Sequence, residues 1–219
     1  ETARQIDLKR GFQTPLPNLL WQIREQPPIA VRAVNTQSVL EVVRYFLTKG
    51  QLPAASPQFE TVLDLELQLL KVVKQKDVPF LRNLKDILTK SKKSQQYIQQ
   101  LALETQATLG QVLGNVFLPI LREISEDLQL LLSKMEALRM TPQKCKSILN
   151  LTALEILTQN YSAASQENHY FERVLLNSVE QQALPNRVYF EKVKQTLQVL
   201  TEQKILKRIT KTKLQNWSF

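Results

Sequence analysis

The chain has 219 residues, of which 43% are hydrophobic and 22% are charged, and its formal net charge is +9. This length and composition exclude a disordered charged tail, and they are sufficient for one sizeable core or a run of stacked helix pairs. Only four residues are glycine, which disfavours sheets with tight hairpins, whereas the abundant Gln, Leu, Lys and Glu favour helices.

The first 35 residues contain four prolines, which prevent a long helix there: Pro15, Pro17, Pro27 and Pro28. An apolar cluster lies between the prolines and consists of Leu16, Leu19, Leu20, Trp21 and Ile23. We therefore predict that residues 1–35 form a proline-rich N-terminal extension that packs on a helical core of residues 36–185.

Capping residues and prolines divide the core into helices. Asn35 or Thr36 can cap a helix that ends near Lys49, because Gly50 is the usual residue just past a helix end. Further helix starts are predicted at Ser56-Pro57, at Asp77 and at Thr141-Pro142.

Residues 95–138 form the longest segment with helical spacing of apolar residues. Pro119 should break or kink this segment near Leu118, since proline removes one hydrogen bond and clashes with the preceding turn. The polar stretch before the segment, residues 90–94, is predicted to be a loop. The spacing Gly110-x-x-x-Gly114 predicts close packing against another helix.

The predicted fold is therefore all-α, an irregular array of antiparallel helix pairs that is either HEAT/armadillo-like or a bundle. Residues 186–219 are predicted to be a C-terminal basic helix and tail. A helix over Asn186–Gln203 followed by a short basic stretch resembles the end of a winged-helix unit, so a small hairpin is predicted after it.

Catalytic and metal-binding chemistry is poorly represented. Cys145 and His169 are the only Cys and His, which is too few for a closed zinc site. Lysines on both sides of Cys145 could lower its pKa, but we interpret the thiol as a small helix side chain. Phosphate-binding glycine motifs are absent from the sequence, and the acidic residues Asp64, Glu66, Glu123, Glu126 and Asp127 are interpreted as solvated faces. We predict no catalytic residue, cofactor, metal or small-molecule substrate.

The basic residues are segregated. Residues 71–93 carry eight Lys and Arg against two Asp, a net 8 − 2 = +6, and residues 187–213 carry eight against two Glu, again 8 − 2 = +6. Such blocks are typical of a phosphate-contacting surface or of a solubilising rim. The candidate nucleic-acid-binding residues are Lys71, Lys74, Lys76, Lys90, Lys92, Lys93, Lys204, Lys207, Arg208, Lys211 and Lys213.

We interpret the chain as a non-enzymatic helical scaffold or adaptor segment of a larger intracellular protein, with a protein partner, in a nuclear or nucleic-acid-associated complex. A single cysteine suits a reducing compartment, so a cytoplasmic or nuclear location is expected. The sequence shows no apolar stretch long enough to span a membrane. The alternative interpretation is a nucleic-acid-binding module that uses the two basic blocks.

Overall fold

A computed structural model describes residues 35–54, 59–90, 92–135, 140–159, 161–180 and 186–206. These residues form nine α-helices and no strand, and helix accounts for 81% of them. The all-α class is therefore confirmed for this part of the chain, whereas the finer HEAT/armadillo-like arrangement remains a prediction. The N-terminal extension up to residue 34 and the predicted hairpin after residue 206 lie outside the described residues.

The helices are α1 (Thr36–Lys49), α2 (Val62–Lys74), α3 (Val78–Thr89), α4 (Lys92–Ile98), α5 (Leu103–Phe117), α6 (Leu121–Lys134), α7 (Pro142–Thr158), α8 (Ala163–Glu180) and α9 (Asn186–Glu202). Contacts form both between helices that are adjacent in sequence and between helices that are far apart in sequence. α1 packs on α2, α3 and α4, and α5 packs on α2, α6 and α7. α7 also contacts α3, α6 and α8, and α6 also contacts α8 and α9.

Several predicted helix ends are confirmed by their hydrogen bonds. The Asn35 side chain accepts a bond from the Gln37 N–H at 3.0 Å and begins α1. Gly50 ends α1 with φ of 74°, the left-handed conformation that glycine adopts without strain. The Thr141 hydroxyl accepts from the Lys144 N–H at 3.2 Å and begins α7, with proline at its first position.

The start of α2 was predicted at Ser56-Pro57, and this is wrong. The helix begins at Val62, after an extended Thr61. The Thr61 N–H donates to Asp64 Oδ2 at 2.9 Å, and the Asp64 N–H donates to Thr61 Oγ1 at 3.2 Å. This reciprocal pair is a capping box, which fixes a helix start more strongly than a serine before a proline. The hydrogen bond from the Thr61 side chain lowers the pKa of Asp64.

The described part of the long segment, residues 95–135, belongs to three helices, whereas a single break at Pro119 would leave two. The break predicted at Pro119 is confirmed, because α5 ends at Phe117 and α6 begins at Leu121. The predicted loop at residues 90–94 is wrong, since Lys92 already belongs to α4. The buried Ser94 hydroxyl donates to the Leu47 carbonyl of α1 at 3.2 Å, so a contact distant in sequence helps to hold this short helix.

The contact between α5 and α7 depends on glycine. A Cβ atom on Gly110 would stand 1.9 Å from the Asn150 carbonyl oxygen, and one on Gly114 would stand 3.3 Å from the Ala153 Cβ. The predicted close packing of Gly110-x-x-x-Gly114 against another helix is thus confirmed. Only a residue without a side chain allows the backbone of α5 to approach α7 this closely at Gly110.

Buried tyrosines join the last helices. The Tyr170 hydroxyl of α8 lies 2.8 Å from the Ser125 hydroxyl of α6 and donates to the Leu149 carbonyl of α7 at 3.2 Å. The Tyr189 hydroxyl of α9 lies 2.6 Å from the Ser178 hydroxyl of α8. Burial raises the pKa of Tyr170, and it raises the pKa of Tyr189 to about 12. Both phenols therefore stay neutral and serve as hydrogen-bonding groups between helices.

Candidate functional site

A cleft of about 260 Å³ opens between α4, α5, α7 and α8. Its apolar lining comes from Ile98, Leu103, Leu151 and Leu154. Leu103 is 68% exposed, the highest exposure among the large apolar side chains that the structure describes. An exposed leucine beside a concave surface is a feature of ligand and protein-binding sites rather than of a closed helix contact.

Glu66 of α2 positions the helix that carries Leu103. Its carboxylate accepts a bond from the Ala102 N–H at 3.0 Å and a second from the Thr105 hydroxyl. Ala102 has no capping side chain of its own, so Glu66 caps α5 from another helix. Glu66 is buried, and its negative charge faces the positive end of the α5 dipole. The first turn of α5 is therefore fixed by α2.

The polar lining of the cleft consists of amide side chains and one ion pair. The amides are those of Gln95, Gln99, Gln106, Gln159 and Asn177. The Arg173 Nε lies 2.7 Å from Glu155 Oε1, and this pair joins α8 to α7 across the cleft wall.

Three of these amides use nitrogen to hold the helices together. Gln95 donates to the Thr158 carbonyl at 2.6 Å, and Gln106 donates to the Leu101 carbonyl at 2.7 Å. Asn177 donates to the Thr152 hydroxyl at 3.0 Å. Each amide also carries a carbonyl oxygen, which is an acceptor for an N–H donor. The cleft thus combines a rigid wall with acceptor groups.

The candidate lysines within the described residues are all exposed, and none of them forms an ion pair with another described residue. By contrast, Arg122, Arg173 and Arg187 are paired with Glu126, Glu155 and Glu191.

The structure divides the first basic block into two groups. Lys71, Lys74 and Lys76 lie where α2 leads into α3. Lys90, Lys92 and Lys93 lie at the other end of α3, where it leads into α4. The twelve residues of α3 separate the two groups by about 18 Å along the helix axis. The six candidate lysines of this block therefore lie in two groups at opposite ends of α3, and Arg82 and Lys85 of the same block lie on α3 between them.

The second basic block is described only in part. Lys204 lies in the turn after α9 and has a left-handed φ of 55°. The remaining candidates of this block, Lys207, Arg208, Lys211 and Lys213, lie outside the described residues. Because α9 packs on α6, whereas α3 packs on α1, α4 and α7, the two blocks lie on elements with different partners.

Cys145 and His169 each have their own local contacts. The buried Cys145 thiol lies 3.8 Å from the Met140 sulfur, and burial raises the pKa of the thiol despite the nearby Lys144. The His169 ring stacks on Tyr161 with ring centroids 4.2 Å apart. Burial disfavours the thiolate and outweighs the neighbouring lysine, which agrees with the interpretation of Cys145 as a small helix side chain.

Sequence reasoning did not identify the cleft. Its lining residues come from four helices, and their amide side chains are common on any solvated helix face. The one available signal was Leu103, an apolar residue that follows a break in the helical spacing. The start of its helix is bonded to Glu66, 36 positions away from Ala102 in sequence.

Within the described ranges, no group of three or more His, Cys, Asp or Glu residues could hold a metal ion. None of the helices described is both long and apolar enough to cross a membrane. No family model, no curated protein and no solved structure matches this chain.

Proposed function

We propose that this chain is a non-enzymatic helical scaffold that holds an extended segment of a partner protein in the cleft between α4, α5, α7 and α8. The observation that supports this proposal best is the combination of the exposed Leu103 with the row of amides beside it. Apolar anchors beside a few fixed polar groups are the usual composition of a recognition cleft.

The binding mode follows from the lining. An apolar side chain of the partner packs against Leu103, Leu151 and Leu154. A backbone N–H group of the partner donates to the carbonyl oxygen of Gln99, an exposed amide of the cleft. The Arg173–Glu155 pair offers one group of each charge to the partner's own polar side chains.

A library of random peptides displayed on phage tests this proposal directly. Selection on the immobilised chain should enrich peptides that carry one or two large apolar residues. Their binding should fall by at least about tenfold on Leu103→Gln, because loss of a buried leucine contact amounts to roughly 1.5–3 kcal/mol. Val199→Gln is the matched control, since Val199 is 50% exposed on α9 and does not line the cleft.

The scaffold proposal fails if selection enriches no peptide, or if the enriched peptides bind the Leu103→Gln and Val199→Gln variants equally well. Circular dichroism should show unchanged helix content for both variants, because each replaces an exposed side chain with a good helix former.

A second candidate function is nucleic-acid binding, which the unpaired lysines favour. Lys90, Lys92 and Lys93 lie close together in sequence and in space at the α3–α4 junction, and all three are exposed. Lysines at such a position attract phosphates as point charges and read no base sequence.

Fluorescence anisotropy of a labelled duplex at two salt concentrations tests this candidate. Triple replacement Lys90→Glu, Lys92→Glu and Lys93→Glu should weaken binding and lower the slope of log affinity against log salt by roughly 2.7, or 0.9 for each lost phosphate contact. The same charge change at the exposed Lys134, Lys144 and Lys146 is the control. Equal losses in both triple variants, or no binding at low salt, would reject a nucleic-acid site at this junction.

A further inference from the structure

The exposed face of α2 carries leucines that no described helix covers. Leu63 is 62% exposed and Leu67 is 57% exposed, although both belong to a helix whose opposite face is buried in the core. The two residues are four apart and therefore lie one above the other on the same face. This face is separate from the lining of the cleft.

Charges flank these leucines in a fixed order. Glu60 and Asp64 lie at the N-terminal end of α2, and Lys71 and Lys74 lie at its C-terminal end. Asp64 is half-buried and bonded to Thr61, whereas Glu60, Lys71 and Lys74 are exposed.

The order is symmetric about Leu67. Leu63 lies four positions before it and Lys71 four after it, while Glu60 lies seven before and Lys74 seven after. If two copies of α2 lie antiparallel with a two-fold axis at Leu67, then Leu67 meets its own copy. Leu63 then meets the aliphatic stem of Lys71 of the other copy. Glu60 precedes the Thr61 cap of α2, so the acidic end of one copy lies towards Lys74 of the other.

We propose that this chain self-associates into a two-fold symmetric dimer through the exposed face of α2, with Leu67 at the axis. The surface is complementary to itself because its acidic end meets the basic end of the second copy. A partner helix with a single sign of charge would match only one end of the surface. The proposal is independent of what the cleft binds.

The expected dimer is weak. One pair of antiparallel helices of 13 residues covers less surface than the standard interface of about 1,600 Å², so we expect dissociation in the micromolar range or above. The charged pairs lie at the rim, where they fix the register more than the affinity.

Sedimentation equilibrium on the full chain, from about 10 µM to about 1 mM, measures the association directly. We expect a reversible monomer–dimer equilibrium. Leu67→Glu should abolish the dimer by placing two carboxylates at the axis, whereas Val199→Glu, at a valine of α9 that is 50% exposed, should leave it unchanged. Circular dichroism confirms that both variants keep their helix content.

Charge exchange tests the register. Lys74→Glu should weaken the dimer at least about threefold, since it turns a rim attraction into a repulsion of similar size, and the double variant Glu60→Lys with Lys74→Glu should restore it. A chain that stays monomeric at the highest concentration overturns the proposal. It is equally overturned by a dimer that survives Leu67→Glu, or by a double variant that remains as weak as Lys74→Glu.

Discussion

Helices α2 and α7 are both rich in leucine, yet their environments differ. α7 is surrounded by α3, α5, α6 and α8, and its buried residues include members of every turn from Cys145 to Thr158. α2 packs on α1 and α5 through one face, and its other face exposes Leu63 and Leu67 to solvent. The number of leucines in a helix therefore does not determine how many of them are buried, because the number of packing neighbours does.

This difference separates residues that hold the fold from residues that are available to partners. In α7, most apolar residues are buried by neighbouring helices, so the helix contributes to stability through several of its sides. In α2, burial of one face already fixes the helix, and the second apolar face adds little to the folded monomer. Leu63 and Leu67 should therefore tolerate substitution without loss of stability.

The largest expected effect comes from a matched pair of leucine substitutions. Leu157→Ala in α7, where the leucine is 3% exposed, should lower the free energy of unfolding by about 2–5 kcal/mol through lost burial and the resulting cavity. Leu67→Ala in α2 should change it by less than about 0.5 kcal/mol. Urea denaturation of dilute protein measures both, and similar losses for the two variants would contradict the contrast between the helices.

The next effect concerns the two glycines of α5, which differ in their distance to α7. Gly110→Ala should destabilise the chain by about 3 kcal/mol, because the new Cβ would clash with the Asn150 carbonyl oxygen and the helices must separate. Gly114→Ala is the control. Its Cβ meets only the Ala153 Cβ at 3.3 Å, so the gain of about 1 kcal/mol in helix propensity offsets most of the crowding. If both variants unfold at the same urea concentration, the close approach at Gly110 does not exist.

Local chemistry in the sequence was enough to predict much of this fold. Asn35 with Gly50 and Thr141 with Pro142 mark helix ends correctly, because caps depend on residues only a few positions apart. Ser56-Pro57 predicts a wrong start because the capping box at Thr61 and Asp64 is the stronger start signal. The helix at Lys92–Ile98 was missed because its contacts, such as Ser94 with Leu47, are distant in sequence.

The candidate site was less predictable than the fold. The lysines could be named from the sequence, but their division into two groups depends on the length and direction of α3. The cleft depends on Glu66, which the sequence suggested to be part of a solvated face and which the structure buries against the start of α5. A carboxylate that caps a distant helix leaves no local signal.

The third prediction removes this distant cap. Glu66→Ala should lower the free energy of unfolding by about 1–3 kcal/mol, since the Ala102 N–H and the buried Thr105 hydroxyl lose their acceptor. Glu66→Gln should lower the free energy of unfolding by less, because the amide oxygen can still accept one of the two bonds. Hydrogen exchange should locate the change at the first turn of α5, and equal stability of Glu66→Ala and the wild type would mean that α2 does not cap α5.

The smallest effect is expected at the end of α2, where Lys76 has a left-handed φ of 57°. A residue with a Cβ is strained in this conformation, and glycine is the usual residue at this position after a helix. Lys76→Gly should therefore stabilise the chain by about 0.5 kcal/mol. This is the strain energy that glycine relieves in the folded chain, minus the entropy that glycine adds to the unfolded chain. Lys74→Gly is the matched control, because it places glycine within the last turn of α2 and should cost up to about 1 kcal/mol. Urea denaturation measures the change in the free energy of unfolding for both variants. A gain for Lys76→Gly with a loss for Lys74→Gly would confirm that α2 ends at Lys74, whereas a loss in both would contradict the left-handed turn at Lys76.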